Sequence, residues 1–106
     1  MKTSANDLRQ FREVIQMFIE GKMNCYATVM VKADCGEEGV SIEKRKYQAS
    51  LFMIHSMLKT MEREEIAEAL GVSSNLLHRW EGEKPFKTLI YSNYKEFLIF
   101  LGELYT

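Results

Sequence analysis

The stretch Arg63–Gly82, REEIAEALGVSSNLLHRWEG, decides how this chain folds. Ile66, Leu70, Val72, Leu77 and Trp80 fall where two short helices joined by a tight turn bury their facing sides. Ala67 is small enough to let the two helices approach closely. Gly71 stands where the turn calls for a left-handed backbone, which glycine adopts without a Cβ clash. Ser73 and Ser74 follow at once and offer a hydroxyl to the free amides that open the second helix. These residues in this order make a helix-turn-helix, and the rest of the chain reads as its support.

Upstream, residues 42–59 are expected to form a long helix opened by Ser41. Tyr47, Leu51, Ile54 and Leu58 make one apolar stripe, Ala49, Met53 and Met57 a second, and Phe52 lies between them. A helix that is apolar over so much of its circumference is central and covered on several sides. Lys44, Arg45 and Lys46 at its start form a basic triplet, read either as a solvated helix end or as a phosphate contact. Thr60 or Glu62 then restarts the chain into the first helix of the motif, 62–70.

Downstream, Pro85 is expected to block continuation of the second motif helix, and residues 88–104 to form a last helix. Its main stripe runs through Ile90, Tyr94, Phe97, Leu98, Leu101 and Leu104, leaving Tyr91 and Phe100 off the stripe. The surplus of aromatic residues predicts a homodimer that buries this tail, with a well-wrapped monomer core as the alternative.

At the other end, residues 5–20 place Leu8, Phe11, Ile15, Phe18 and Ile19 at helical spacing, with Asn6 or Asp7 as cap and Gly21 as stop. Residues 23–33 read two ways. Thr28, Val29 and Val31 favour a strand, which pairs 25–32 with 40–42 across a turn beginning at Asp34; Met23, Tyr26, Met30 and Ala33 also repeat at helical spacing. The strand is the preferred reading. The expected fold is therefore mainly α: a helical bundle containing a helix-turn-helix, with a short N-terminal β-hairpin. Residues 1–40 form an extension for dimerisation or regulation, and 41–106 the helix-turn-helix domain with its aromatic C-terminal helix.

A chain of 106 residues with 46% hydrophobic content makes one compact core without disulfides or metal. It lacks a run near the roughly 18 apolar residues of a membrane span, and its start lacks an apolar signal core, so a cytoplasmic protein that does not engage membranes is expected. Cys25 and Cys35 are then reduced thiols; with His55 and His78 remote in sequence they match no zinc spacing, and no metal or other cofactor is expected. A nucleophile–base pair, a phosphate-cradling glycine loop and paired carboxylates are all missing as sequence signals, so the chain is not expected to be an enzyme.

At the motif the chain resembles the Cro/lambda-repressor-type, or xenobiotic-response-element-type, helix-turn-helix DNA-binding family. The resemblance rests on Glu65-Ile66-Ala67, Leu70-Gly71-Val72-Ser73 and Arg79-Trp80-Glu81-Gly82 followed by Lys84-Pro85. It covers 54–87, about a third of the chain. It implies a five-helix DNA-binding bundle with Ser74–Glu81 as recognition helix. Ser73, Ser74, Asn75, His78 and Arg79 would then face double-stranded DNA, and Arg63 would touch its backbone. Asn reads adenine through two hydrogen bonds, Arg reads guanine or grips phosphate, and the helix start presents free amides to a phosphate.

Charge argues the other way. The net charge is −1, and within 59–87 Lys59, Arg63, Arg79, Lys84 and Lys87 face six glutamates. Most duplex-binding domains carry a basic excess that releases counterions from phosphate. The leading expectation is thus a DNA-binding transcriptional regulator acting as a homodimer, its effector unknown. The alternative is a protein-interaction module that keeps the scaffold without DNA. A transposase-like or recombination accessory domain is a third reading, mildly disfavoured by Glu81-Gly82. Trp80 and Leu76 are read as packing residues, His55 as a hydrogen-bonded histidine, and Glu81 as a group paired within the domain.

Overall fold

The computed structural model describes residues 5–32 and 39–105. Its elements in chain order are α1 (Ala5–Asn24), β1 (Val29–Lys32), β2 (Gly39–Ile42), α2 (Lys44–Met57), α3 (Arg63–Leu70), α4 (Ser74–Glu81) and α5 (Lys84–Leu104). The fold is a mainly helical bundle with a short antiparallel hairpin. Cys35 and the turn expected from Asp34 lie outside the described residues.

Of the ambiguous stretch, Val29–Lys32 is strand, while Met23 and Asn24 complete α1 and residues 25–28 link the two. Val29 pairs with Ile42, Met30 with Ser41, Val31 with Val40 and Lys32 with Gly39. Val31 and Ile42 turn inward, as the two-residue period of a half-buried strand requires. Tyr26 locks the hairpin to the bundle by donating its hydroxyl to the Ile42 carbonyl at 2.8 Å while its ring meets that of Tyr47.

Pairing in the hairpin also moves the start of α2. Ser41 and Ile42 belong to β2, so Ser41 is not the cap expected for this helix. Glu43 takes the cap position with an extended backbone and makes no side-chain cap bond. From Tyr47 to His55 almost every residue of α2 is buried, because α1, α3 and α5 all pack on it. The expected central helix is this one.

α1 runs through Gly21 to Asn24 rather than stopping at Gly21, since one helical glycine costs only about 1 kcal/mol and burial of the inner face outweighs it. It begins at Ala5, which puts Asp7 inside the first turn, where a carboxylate suits the positive end of the helix dipole. Ile15, Phe18 and Ile19 enter the same core as α2 and α5.

Pro85 starts a helix here. α5 begins at Lys84 with Pro85 in its first turn, a position where a missing N–H costs nothing. The inner face of α5 is Phe86, Leu89, Ile90, Asn93 and Phe97, and Phe100 packs its ring 5.4 Å from that of Phe18. Leu98 and Leu104, expected in the buried stripe, are exposed. Adjacent apolar residues at 97, 98, 99, 100 and 101 leave the inward side of this helix undetermined by periodicity, and packing against α1 and α2 chooses it.

Candidate nucleic-acid interface

The helix pair forms through local bonds. Glu62 caps α3 in a reciprocal capping box, its backbone N–H donating to Glu65 Oε1 at 3.1 Å. Gly71 ends α3 at φ 71°, the left-handed conformation that only glycine takes without strain, and Val72 N–H then reaches the Ala67 carbonyl at 3.0 Å. Ser73 caps α4, its Oγ accepting from Leu76 N–H at 3.0 Å. Ile66 and Ala67 on α3 and Leu77 and Trp80 on α4 are buried, with α3 packed on α2 and α4 and with α4 packed on α5, and Leu76 is half-buried. The packing roles expected for Trp80 and Leu76 are those observed.

Five of the six residues singled out for DNA lie together on the outer side of α4. Ser73, Ser74, Asn75, His78 and Arg79 are all exposed. Asn75, His78 and Arg79 stand three and four residues apart and so share one stripe, with Ser74 beside His78 on the same side. This stripe carries hydrogen-bonding groups and a cation but no acid.

Arg63 is placed otherwise. Its guanidinium makes two parallel hydrogen bonds to Glu81, Nε to Oε2 at 2.8 Å and Nη2 to Oε1 at 2.9 Å. The hydrogen bond to Glu81 is the main reason its pKa rises above the ordinary arginine value, and the carboxylate's charge adds to it. Glu81 thus pairs within the domain, as expected, and ties the first residue of α3 to the last of α4.

Lys46 behaves in the same way. Its Nζ donates to Glu83 Oε1 at 2.8 Å and lies 5.8 Å from the centre of the Trp80 ring. It joins the start of α2 to the link between α4 and α5. Lys44 and Arg45 remain exposed, as do Lys84 and Lys87 at the start of α5. On α3, Glu64 and Glu68 are exposed, while Glu65 stands 3.9 Å from Arg12.

Sequence reasoning passed over Lys46, Glu83 and Arg12 as individual contacts because their partners lie 37 and 48 residues away, where no local spacing rule applies. Among the described residues no group of three or more His, Cys, Asp or Glu gathers as metal ligands, and Cys25 is an exposed free thiol. No helix among them is long and apolar enough to cross a membrane. Comparison of the chain with protein-family models, with curated proteins and with solved structures finds no match.

Proposed function

We propose that the chain is a sequence-specific double-stranded DNA-binding regulator that presents α4 to the major groove. The observation that carries this reading is the exposed, acid-free stripe of Asn75, His78 and Arg79 on a serine-capped helix held out from the bundle by Leu77 and Trp80. An α-helix fits the major groove, where Asn and Arg side chains distinguish base pairs by paired hydrogen bonds. Ser73 and Ser74 at the helix start stand where phosphate meets free amides.

The regulator acts as a homodimer through α5. Tyr91 and Leu98 on its outer side and Tyr105 just past its end recur every seventh residue at 61%, 47% and 72% exposure, the spacing of a helix–helix seam. Two copies related by a two-fold axis address half-sites about one helical turn, roughly 34 Å, apart. Salt weakens binding only modestly, because few unpaired cations are available to displace counterions.

A second reading, a protein-interaction module on the same scaffold, is favoured by one observation: Arg63 and Lys46 are both spent on glutamates of the domain. Selection from a random duplex library decides between them. Enrichment of a two-fold symmetric site is the expected result; a library that stays random after repeated rounds overturns the DNA reading and leaves the protein partner.

A further inference from the structure

His55, near the C-terminal end of α2, is 2% exposed, and its Nε2 has no hydrogen-bond partner among the described residues. Its other nitrogen is well held. Lys59 turns the chain in a left-handed conformation, φ 58°, and brings Thr60 back over the helix end. Thr60 N–H and Thr60 Oγ1 both donate to the His55 carbonyl, at 2.8 and 3.1 Å, and Oγ1 lies 2.8 Å from His55 Nδ1. A hydroxyl has one hydrogen. With that hydrogen on the carbonyl, Oγ1 accepts from Nδ1–H, and Nε2 is left as a bare lone pair. Burial, and after it the positive charge of Arg12, keeps the ring neutral, with a single proton to place. A buried acceptor without a donor is rare in folded chains and calls for an occupant that donates.

The imidazole forms part of the wall of an open groove of about 450 Å³ between α1, α2 and α3. Its lining includes Phe52, Met61 and Ala69, and on its α1 side stand Arg9, Arg12 and the exposed Glu13. Arg12 is partly committed, with Nε donating to the Thr60 carbonyl at 2.6 Å. Arg9 is exposed and has no ion-pair partner among the described residues. The volume falls within the range of sites that enclose small molecules, and an apolar cleft with few convergent polar groups is their usual construction.

We propose that this groove binds a small planar aromatic acid bearing a hydrogen-bond donor, such as a hydroxybenzoate or an indole carboxylate. The donor meets His55 Nε2, the ring lies against Phe52 and Met61, and the carboxylate faces Arg9. Nε2 is closed off from solvent, so a side chain of the groove wall moves aside as the ligand enters. The site stands whether or not α4 binds DNA.

The test is a titration of the intact chain with 4-hydroxybenzoate, and in parallel with benzoate, followed by side-chain ¹⁵N resonances of His55. Before ligand is added, Nε2 should show the shift of an unprotonated nitrogen; a protonated Nε2 overturns the donor assignment. On titration, 4-hydroxybenzoate should move the Nε2 resonance saturably and bind about tenfold more tightly than benzoate, the ratio one added hydrogen bond supplies. Equal affinities, or no saturable change up to millimolar concentration, overturn the proposal. Ala69→Trp fills the groove from its exposed edge and should abolish binding, whereas unchanged binding places the ligand elsewhere and defeats it. Arg9→Glu should weaken 4-hydroxybenzoate several-fold; an unaltered affinity removes Arg9 as the carboxylate's partner and defeats the proposal as stated.

Discussion

The Arg63 guanidinium closes on the Glu81 carboxylate through two hydrogen bonds of 2.8 and 2.9 Å, fastening the beginning of one motif helix to the end of the other. Glu81 is the better buried of the two, with its side chain 18% exposed against 44% for Arg63. Bidentate geometry gives such a pair more than a typical surface bridge, but solvent still screens it. A double-mutant cycle with Arg63→Ala and Glu81→Ala, read by urea denaturation, should return a coupling of about 0.5–1 kcal/mol that shrinks with added salt. Zero coupling would mean that the pair leaves the helices unfastened.

The α4 stripe proposed to read duplex DNA makes a contrasting prediction. Asn75→Ala and Arg79→Ala should each weaken specific DNA binding by about 1–3 kcal/mol. As both residues are exposed, stability should stay within about 0.5 kcal/mol of the parent. Arg63→Ala should do the reverse, lowering stability while leaving base preference intact. Electrophoretic mobility shifts on the selected site, paired with thermal melts, separate the two patterns.

Acid should destabilise the fold through His55. Burial pushes its pKa down from 6.5 to about 4, and Arg12 acts in the same direction. The unfolded chain takes up a proton near pH 6.5 that the folded chain refuses until about pH 4, so across that window acid favours unfolding. The contribution of this group is complete above the unfolded value, declines as pH falls toward the folded one, and is constant below it. Its size is on the order of 3 kcal/mol. Urea midpoints measured from pH 7 to 4.5 should fall steeply for the parent and less steeply for His55→Phe, whatever the difference in their absolute stabilities. Parallel slopes would mean that another group carries the dependence.

The exposed and buried sides of α5 can be told apart by charge insertion. Leu98→Glu should leave a folded chain and halve the sedimenting mass from that of a dimer to 12.4 kDa. Phe97→Glu should unfold the domain, because Phe97 is fully buried against Phe18, with ring centres 5.3 Å apart. Burying an unpaired carboxylate among aromatic rings costs several kcal/mol, a large share of a small domain's stability. A parent chain that sediments as a monomer at micromolar concentration would remove the seam through Tyr91, Leu98 and Tyr105.

The helix pair was legible in the sequence because its determinants are local. Gly71, Ser73, Glu62 and Glu65 act on amides within three or four residues, and Ile66, Leu77 and Trp80 repeat at the helical period. The strand reading of 25–32 rested on β-branched residues and came through only for Val29–Lys32, with residues 25–28 left outside the ladder; the start of α2 did not, because Ser41 satisfies the cap rule and the ladder rule equally well. Pairing with Met30 decided for the ladder.

By itself, then, the chain of residues determined the helix-turn-helix, the central position of α2 and the exposed polar stripe on α4. Those depend on torsion preferences and on periodicity, both written within a turn or two of each residue. The tertiary structure alone decided that Phe97 and not Leu98 faces inward, that Lys46 serves Glu83, and that Arg63 serves Glu81. It also brought the groove beside His55 together from three helices. These outcomes depend on which elements meet, and residues 18 to 48 positions apart become neighbours only when the core they surround has closed.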